Sequence, residues 1–478
     1  MLALFGILAL LGGAAAWPDP FWVVMHGNAI FTSRLDPIVS PDAVAGHVHS
    51  VIGGTAFSPT YSYAHSTAAK STTANVEVDL SNYWVPQMYR KSGDGFELVK
   101  MNRVNTYYLM RRSGDDEEVS PFLKDFRMLA GDASRNTYNE SDYTNNAISC
   151  VCLGVDGSPQ TNAFPEQSCP DDLRAQVFFP NCWDGINTWL EGSKHVAYPT
   201  SSGHDQGGPC PTTHPKRIMS LFYEFHFSDD FEYTPGARVW ATGDDLGYSL
   251  RGDFTNGWPE GYFEEIFSYN STCNVELSLE NCPPLAQYFL KDGAGTVVPD
   301  DDAAIVDEDV GVNGTILSAL PGNNPVWGRS GPKSPDASYV ETGKLVSLAD
   351  GSEVATSAEV SGTVSSSSSV VVSSSAAAAS GTGSISNTAP SSSSHSSDAF
   401  TTAAPLSSSD NSAVASSTQT ASKVIATNVA AVIESSSVSL SSSSSDSGST
   451  ATGTGASSET GLAAHKTCAR RKRSRMNW

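Results

Sequence analysis

His47 and His49 stand two residues apart in the run GHVHS. On a strand, that spacing puts both imidazoles on one face. There they could ligate a single metal, and imidazole suits zinc, copper, iron or nickel. His195 in SKHVAYP, His204 in SGHDQGG and His214 in CPTTHP follow far downstream, in loop-like contexts. Two histidines on one face, joined by a third histidine or a carboxylate, make a metal site or an acid–base cluster. The candidate carboxylates are Asp184 in NCWDGIN and Asp253 in GYSLRGDFTNGW. Asp184 follows Trp183, and a carboxylate beside a tryptophan is common in sugar-binding clefts. The expectation is therefore His47 and His49 as ligands of a divalent metal, with His195, His214, Asp184 and Asp253 as catalytic candidates. The alternative is that each histidine caps a turn or bonds within a polar loop, and that Trp183–Asp184 is a packed turn. Arg251-Gly252-Asp253 also spells an adhesion tripeptide, for which chance is the better explanation. Among motifs with a known mechanism, G-x-S-x-G, H-E-x-x-H, the phosphate loop and the dinucleotide fingerprint are all absent.

The elements that must position these residues read as strands. FWVVM at Phe21, VEVDL at Val76, TYYLM at Thr106, AQVFF at Ala175 and SLFYEFHF at Ser220 are short β-rich runs. Gly, Pro, Asn and Asp punctuate them, and long amphipathic helices are scarce. The expected fold is mostly β, a sandwich-like or β-rich single domain with long loops, over residues 17–290.

Around that domain the composition changes sharply. An apolar run, Leu2 to Leu11, precedes Ala14-Ala15-Ala16, which reads as a secretory signal peptide over residues 1–16 with cleavage before Trp17. The run is too short for the ~20 residues of a spanning helix, so no transmembrane segment is expected in the mature chain. Residues 291–350 carry PDDDAAIVDEDV and read as an acidic linker. Residues 351–478 are dominated by Ser, Ala and Thr and end in a basic cluster, Arg470 to Arg475. Such a segment cannot bury enough apolar area to offset about 1–2 kcal/mol per ordered backbone residue. The expectation there is a disordered stalk with O-glycan acceptors.

The net charge of −23 follows this division. From Ser352 onward seven acidic residues are matched by seven basic ones, so the whole excess lies in the preceding part. An acidic domain is a poor partner for phosphate, which excludes a nucleic-acid-coating role.

In a secreted chain, cysteines are disulfide candidates before they are zinc ligands. Seven of the eight lie ahead of the stalk. The expected bridges join Cys152 or Cys169 to Cys182 or Cys210, and Cys273 to Cys282. Asn139, Asn270 and Asn313 open N-glycosylation sequons and should lie on exposed loops.

Taken together, RLDPIVSPDAVAGHVHSVIGG, SNYWVPQMYR, FRMLAGD, LRAQVFFPNCWDGIN, SKHVAYP, GPCPTTHPKRI and GYSLRGDFTNGW occur in order across roughly residues 20–285. They resemble a fungal secreted family known as domain of unknown function nineteen-ninety-six. The resemblance implies a secreted protein with a Ser/Thr-rich tail, and it marks His47, His49, His195, His214, Asp184 and Asp253 as positions to watch. It implies no particular reaction. The chain departs from the family pattern at Ser71 and Ala74, where members usually carry Cys-x-x-Cys, and at Arg251, where they tend to have histidine.

Two functions remain in view. One is a cell-surface or cell-wall-associated protein, extracellular and without catalysis, whose domain binds wall polysaccharide. The other is a metal- or His/Asp-dependent extracellular enzyme acting on polysaccharide. Convergence of His47, His49, His195 and Asp253 in one place would favour the second.

Overall fold

The computed structural model describes residues 19–334 and 343–354. The expected signal peptide, the expected stalk beyond residue 354, Cys468 and the basic cluster lie outside the described residues.

Twenty strands are described. In chain order they begin with β1 (Phe21–His26), β2 (Phe31–Ser33), β3 (His49–Gly53), β4 (Asn82–Pro86), β5 (Met88–Ser92), β6 (Gly95–Leu98) and β7 (Met101–Leu109). They continue with β8 (Val119–Ser120), β9 (Arg127–Gly131), β10 (Ile148–Cys152), β11 (Leu173–Phe178), β12 (Cys182–Trp183), β13 (Val196–Ala197) and β14 (Lys216–Ile218). The last are β15 (Ser220–Phe227), β16 (Arg238–Trp240), β17 (Arg251–Thr255), β18 (Asn274–Glu276), β19 (Ala304–Val306) and β20 (Leu345–Ser347). The longest α-helix among the described residues is Tyr262–Ser268.

Two sheets form the body. The six-stranded sheet runs β10-β11-β15-β7-β1-β18, and the five-stranded sheet runs β2-β3-β4-β17-β9. All pairings are antiparallel except β1 with β18. Their inner faces meet in one apolar cluster that includes Trp22, Val24, Tyr108, Val177 and Tyr223 from one sheet, and Ile52, Tyr83, Met128 and Phe254 from the other. Tyr83 packs edge-on against Tyr223 with centroids 5.5 Å apart. Sheet-on-sheet packing of this kind buries alternate residues of every strand. At Gly252 the two sheets approach closely. A Cβ there would meet Val177 Cγ1 at 2.8 Å, so only glycine fits between Arg251 and Asp253.

The mostly-β expectation is met, and four of the five strand-like runs lie in β1, β7, β11 and β15. VEVDL does not form a strand. Val76 makes a single bridge to Phe289, and the chain then turns at Asp79. The Asp79 carboxylate holds that turn, accepting from Ser81 N at 3.1 Å and from the Tyr83 hydroxyl at 2.6 Å. A local side-chain bond has beaten the strand propensity of two valines.

The stretch 291–350, expected as an acidic linker, is built into the fold where it is described. β19 pairs with β20, and Ala303, Val306 and Leu345 join a second apolar cluster with Phe31, Leu35, Val51 and Trp84. Glu308 pairs with the buried Arg34 at 2.6 Å, and Asp300 accepts from Thr55 Oγ1 at 2.9 Å. The acid-rich composition hid apolar residues spaced to cover the outer face of the five-stranded sheet. No described helix is long and apolar enough to cross a membrane.

Candidate functional site

The site is organised by strand register. In the five-stranded sheet His49 lies opposite Pro86, Val51 opposite Trp84, Trp84 opposite Asp253, and Asp253 opposite Leu129. Directly paired residues share a face, so His49, Trp84, Arg251 and Asp253 all project from the outer face. That face is covered by the second apolar cluster, which leaves the polar members buried among Trp84, Leu35 and their neighbours.

Arg251 is the centre of the group. Its Nε donates to Asp253 Oδ2 at 3.1 Å, and its terminal nitrogen donates to Asp36 Oδ2 at 2.5 Å. Asp36 is itself fixed by the chain reversal after it, accepting from Ile38 N at 3.1 Å and Val39 N at 3.0 Å. Leu35, next to it, supplies the carbonyl that meets His49 Nδ1 at 2.9 Å. A carbonyl can only accept, so Nδ1 carries the proton and Nε2 presents a lone pair. The His47 and His49 rings lie 4.4 Å apart by centroid, tilted 54°. Three polar atoms in this group are buried with no hydrogen-bond partner: Nε2 of His47, Nε2 of His49 and Oδ1 of Asp253. Buried polar atoms are paired in the great majority of cases, so three together mark a place built to meet something else.

The charges fit that arrangement. Burial pushes His49 down to about 4, against the pull of Asp36 and with help from Arg251, so its imidazole is neutral. Burial, His49 and Arg251 hold His47 well below its ordinary value. Burial pushes the Asp253 carboxyl up to about 8, with Arg251 opposing and Asp36 assisting. Burial works against the Arg251 charge, but Asp253 and Asp36 outweigh it and raise its pKa. One guanidinium faces two carboxylates in a dry setting, so one carboxyl keeps its proton, and the one with an unpartnered oxygen is Asp253. The group thus combines a neutral imidazole lone pair with a protonated carboxylic acid, a pairing suited to acid–base work.

The expected metal pair gains no third ligand. Among the described residues, no group of three or more His, Cys, Asp or Glu could hold a metal ion. The permanent guanidinium of Arg251 beside His49 also opposes a divalent cation. These residues do not fit a metal.

His195, Asp184 and His214 form a separate neighbourhood. Asp184 N donates to the His195 carbonyl at 2.9 Å, and His214 Nε2 bonds the Lys194 carbonyl at 2.9 Å. Asp184 caps a turn, accepting from Ile186 N at 2.8 Å and Asn187 N at 2.9 Å. Trp183 is buried, with its indole donating to the Asn187 carbonyl, so it offers no ring to a sugar. His195 is buried against Phe126 and Trp189, and burial pushes it down to about 4. No hydrogen bond, ion pair or ring contact among the described residues joins this group to His47, His49 or Asp253. The structure therefore divides the six candidates into two sets. Asp36 and Arg251 belong to the first set and were not among the candidates. The signal for Asp36 was its place in the RLDP run, and for Arg251 the departure from the family pattern. The adhesion tripeptide is inaccessible, because Arg251 and Asp253 are buried and bound to each other.

The six expected cysteines are all bridged; Cys273 pairs with Cys282 as expected, and the other four pair differently. Cys152 joins Cys169, Cys182 joins Cys210, and Cys273 joins Cys282. Cys152 lies at the end of β10, and the chain returns beside it within 17 residues, which favours the short loop. Cys150 is free and buried. Asn139, Asn270 and Asn313 are all exposed.

Neither the curated proteins nor the solved structures compared with the chain include a match. A family model does match, and it spans the whole of the first site, from Asp36 through Asp253. Residues 36–258 of this chain are a domain of the family described as Domain of unknown function (DUF1996).

Proposed function

We propose that this protein is an extracellular, wall-associated enzyme of the acid–base type, acting on a hydroxyl-rich polysaccharide at the His47–His49–Arg251–Asp253 cluster. His49 Nε2 is the base, and the Asp253 carboxylic acid is the proton donor. Arg251 positions Asp253 and Asp36. His47 is the partly exposed member of the group. The observation that carries this reading is that a free imidazole lone pair and a free carboxyl oxygen are buried around one guanidinium. Secretion, the three sequons and the Ser/Thr-rich tail support the setting, and the setting supports the substrate class. No metal enters the reading.

The test incubates the secreted protein with β-glucan, chitin and mannan, and follows reducing ends and unsaturated products. Wild type should release product from one of them, and His49→Ala and Asp253→Asn should each lose roughly 10²–10⁴-fold in rate. Product from no polymer, or undiminished turnover by His49→Ala, overturns the proposal.

One observation favours a second reading, in which the domain retains wall polysaccharide without turning it over. Arg251 already engages both carboxylates, as a locked structural group would. Retention on an insoluble polymer without product release selects this reading.

A further inference from the structure

Arg127 opens β9, the edge strand of the five-stranded sheet. It pairs with Thr255, as Leu129 pairs with Asp253. The spacing of two puts Arg127 on the outer face of the sheet, at its edge.

This side chain is a cation without an acid. Arg217, Arg238 and Arg251 each hold a carboxylate. The Arg127 guanidinium makes no ion pair and no hydrogen bond among the described residues, in a chain of net charge −23. Asp125, whose charge acts on it, accepts instead from Tyr63 N at 2.9 Å. Nε of Arg127 is buried without a partner, whereas its terminal nitrogens are not sealed from solvent.

Two aromatic rings hold the guanidinium in place. Its central carbon lies 5.6 Å from the Tyr61 ring centroid and 5.4 Å from that of Trp189, both cation–π contacts. Each ring is fixed from elsewhere. The Tyr61 hydroxyl donates to the Asn256 carbonyl at 2.8 Å. Trp189 packs at the margin of the second apolar cluster and edge-on to His195, with centroids 5.8 Å apart. Arg127 N donates to the Thr188 carbonyl at 3.2 Å and ties that loop to the strand. His195 is fully buried, so it positions Trp189 and meets nothing from outside.

This part of the surface is open. Tyr61, Arg127 and Trp189 are each only partly buried. Leu190, next to Trp189, is 38% exposed, and Ile186 on the same loop is 80% exposed.

We infer that Arg127, Tyr61 and Trp189 form a second binding site, for the carboxylate of an acidic sugar unit carried in an otherwise neutral glycan. The planar guanidinium presents its terminal N–H groups as a fork that matches a carboxylate. The rings beside it give apolar contact to the sugar. One unopposed positive charge answers one negative charge, whereas a polyanion or an acidic peptide would meet the acidic excess of the domain. The assignment stands apart from the acid–base reading, because none of the three residues belongs to the His49 cluster.

The test is isothermal titration of the full secreted chain with three probes. They are xylotriose bearing one glucuronic acid, neutral xylotetraose, and acetyl-tetraalanine, which has a carboxylate and no sugar. Wild type should bind the acidic sugar at least roughly tenfold more tightly than either of the others, the scale of one charge-assisted contact. Arg127→Met should lose that preference, and Trp189→Ala should weaken the acidic sugar roughly tenfold. Melting curves establish that the variants are folded. Should Arg127→Met not fold, Arg127→Lys takes its place, since it keeps the charge, gives up the planar fork and should also lose the preference. No binding of the acidic sugar, equal binding of its neutral counterpart, tighter binding of the peptide, or an undiminished preference in a folded Arg127 variant overturns the assignment.

Discussion

Arg251 Nε lies 3.1 Å from Asp253 Oδ2, two residues along the same strand. Alternation on β17 makes that contact local, and Gly252 between them permits it by letting the opposite sheet approach. The second carboxylate, Asp36, arrives from 215 residues earlier in the chain.

This arrangement predicts an asymmetry between two substitutions. Arg251→Met leaves Asp36 and Asp253 buried without their cation, and should cost about 3–5 kcal/mol of stability. Asp253→Asn keeps Arg251 paired with Asp36 and should cost less. Urea unfolding of both variants measures the difference, and equal losses would contradict the charge assignment.

The pH dependence of stability has a definite sign on each side. Burial depresses His49 and His195 to about 4 and His26 to about 3, from 6.5 unfolded. Their contribution is present above about pH 6.5 and lost as pH falls below it. Burial raises Asp79 to about 7, against hydrogen bonds from Tyr83 and Ser81, and Asp253 to about 8, from 3.8 unfolded. Their contribution is present below about pH 4 and lost as pH rises toward 8. Between about pH 4 and 6.5 the histidines outnumber the two carboxyls, so stability climbs. Above that window only the carboxyls act, and it declines. A melting series across this range should peak near pH 6.5. Asp253→Asn should flatten the alkaline limb.

The cysteines make a chemical prediction. Burial pushes the Cys150 thiol up to about 12, so iodoacetamide should leave it unlabelled in the native protein and label it after denaturation. A non-reduced peptide map should return Cys152–Cys169, Cys182–Cys210 and Cys273–Cys282. A bridge between the first two pairs would contradict the structure.

The acid-rich stretch after residue 290 should behave as part of the fold. Leu345 is 1% exposed in the second apolar cluster, and Leu345→Ala should cost about 2–5 kcal/mol. A chain ending at residue 290 should melt well below one ending at residue 354. Equal melting temperatures would show that the stretch carries no core.

Legibility in the sequence followed locality. SLFYEFHF announced β15 by its alternation, because a strand has a period of two whatever surrounds it. His47 and His49 were identifiable as neighbours from their spacing alone, although His47 lies in a bend ahead of β3 rather than on the strand. The alternation of β15 did not reveal that its polar side is buried too, because burial depends on what lies over a sheet. The bridges of Cys152 and Cys182 were misassigned because spacing along the chain does not say where the chain returns. VEVDL misled because one buried carboxylate, Asp79, outweighed its propensity.

By itself, the sequence determined a β-rich domain with alternating strands, a chemically different tail, six bridge-forming cysteines and a short set of histidines and carboxylates worth watching. The tertiary structure decided which of those belong together. It joined His47, His49 and Asp253 through Arg251 and Asp36, and it left His195, His214 and Asp184 in their own turn. It also set the protonation of Asp253, because burial and the nearby Asp36 carboxylate together outweigh the opposing Arg251. These groups come from positions hundreds of residues apart, and pairing across a sheet is what brings them within a hydrogen bond.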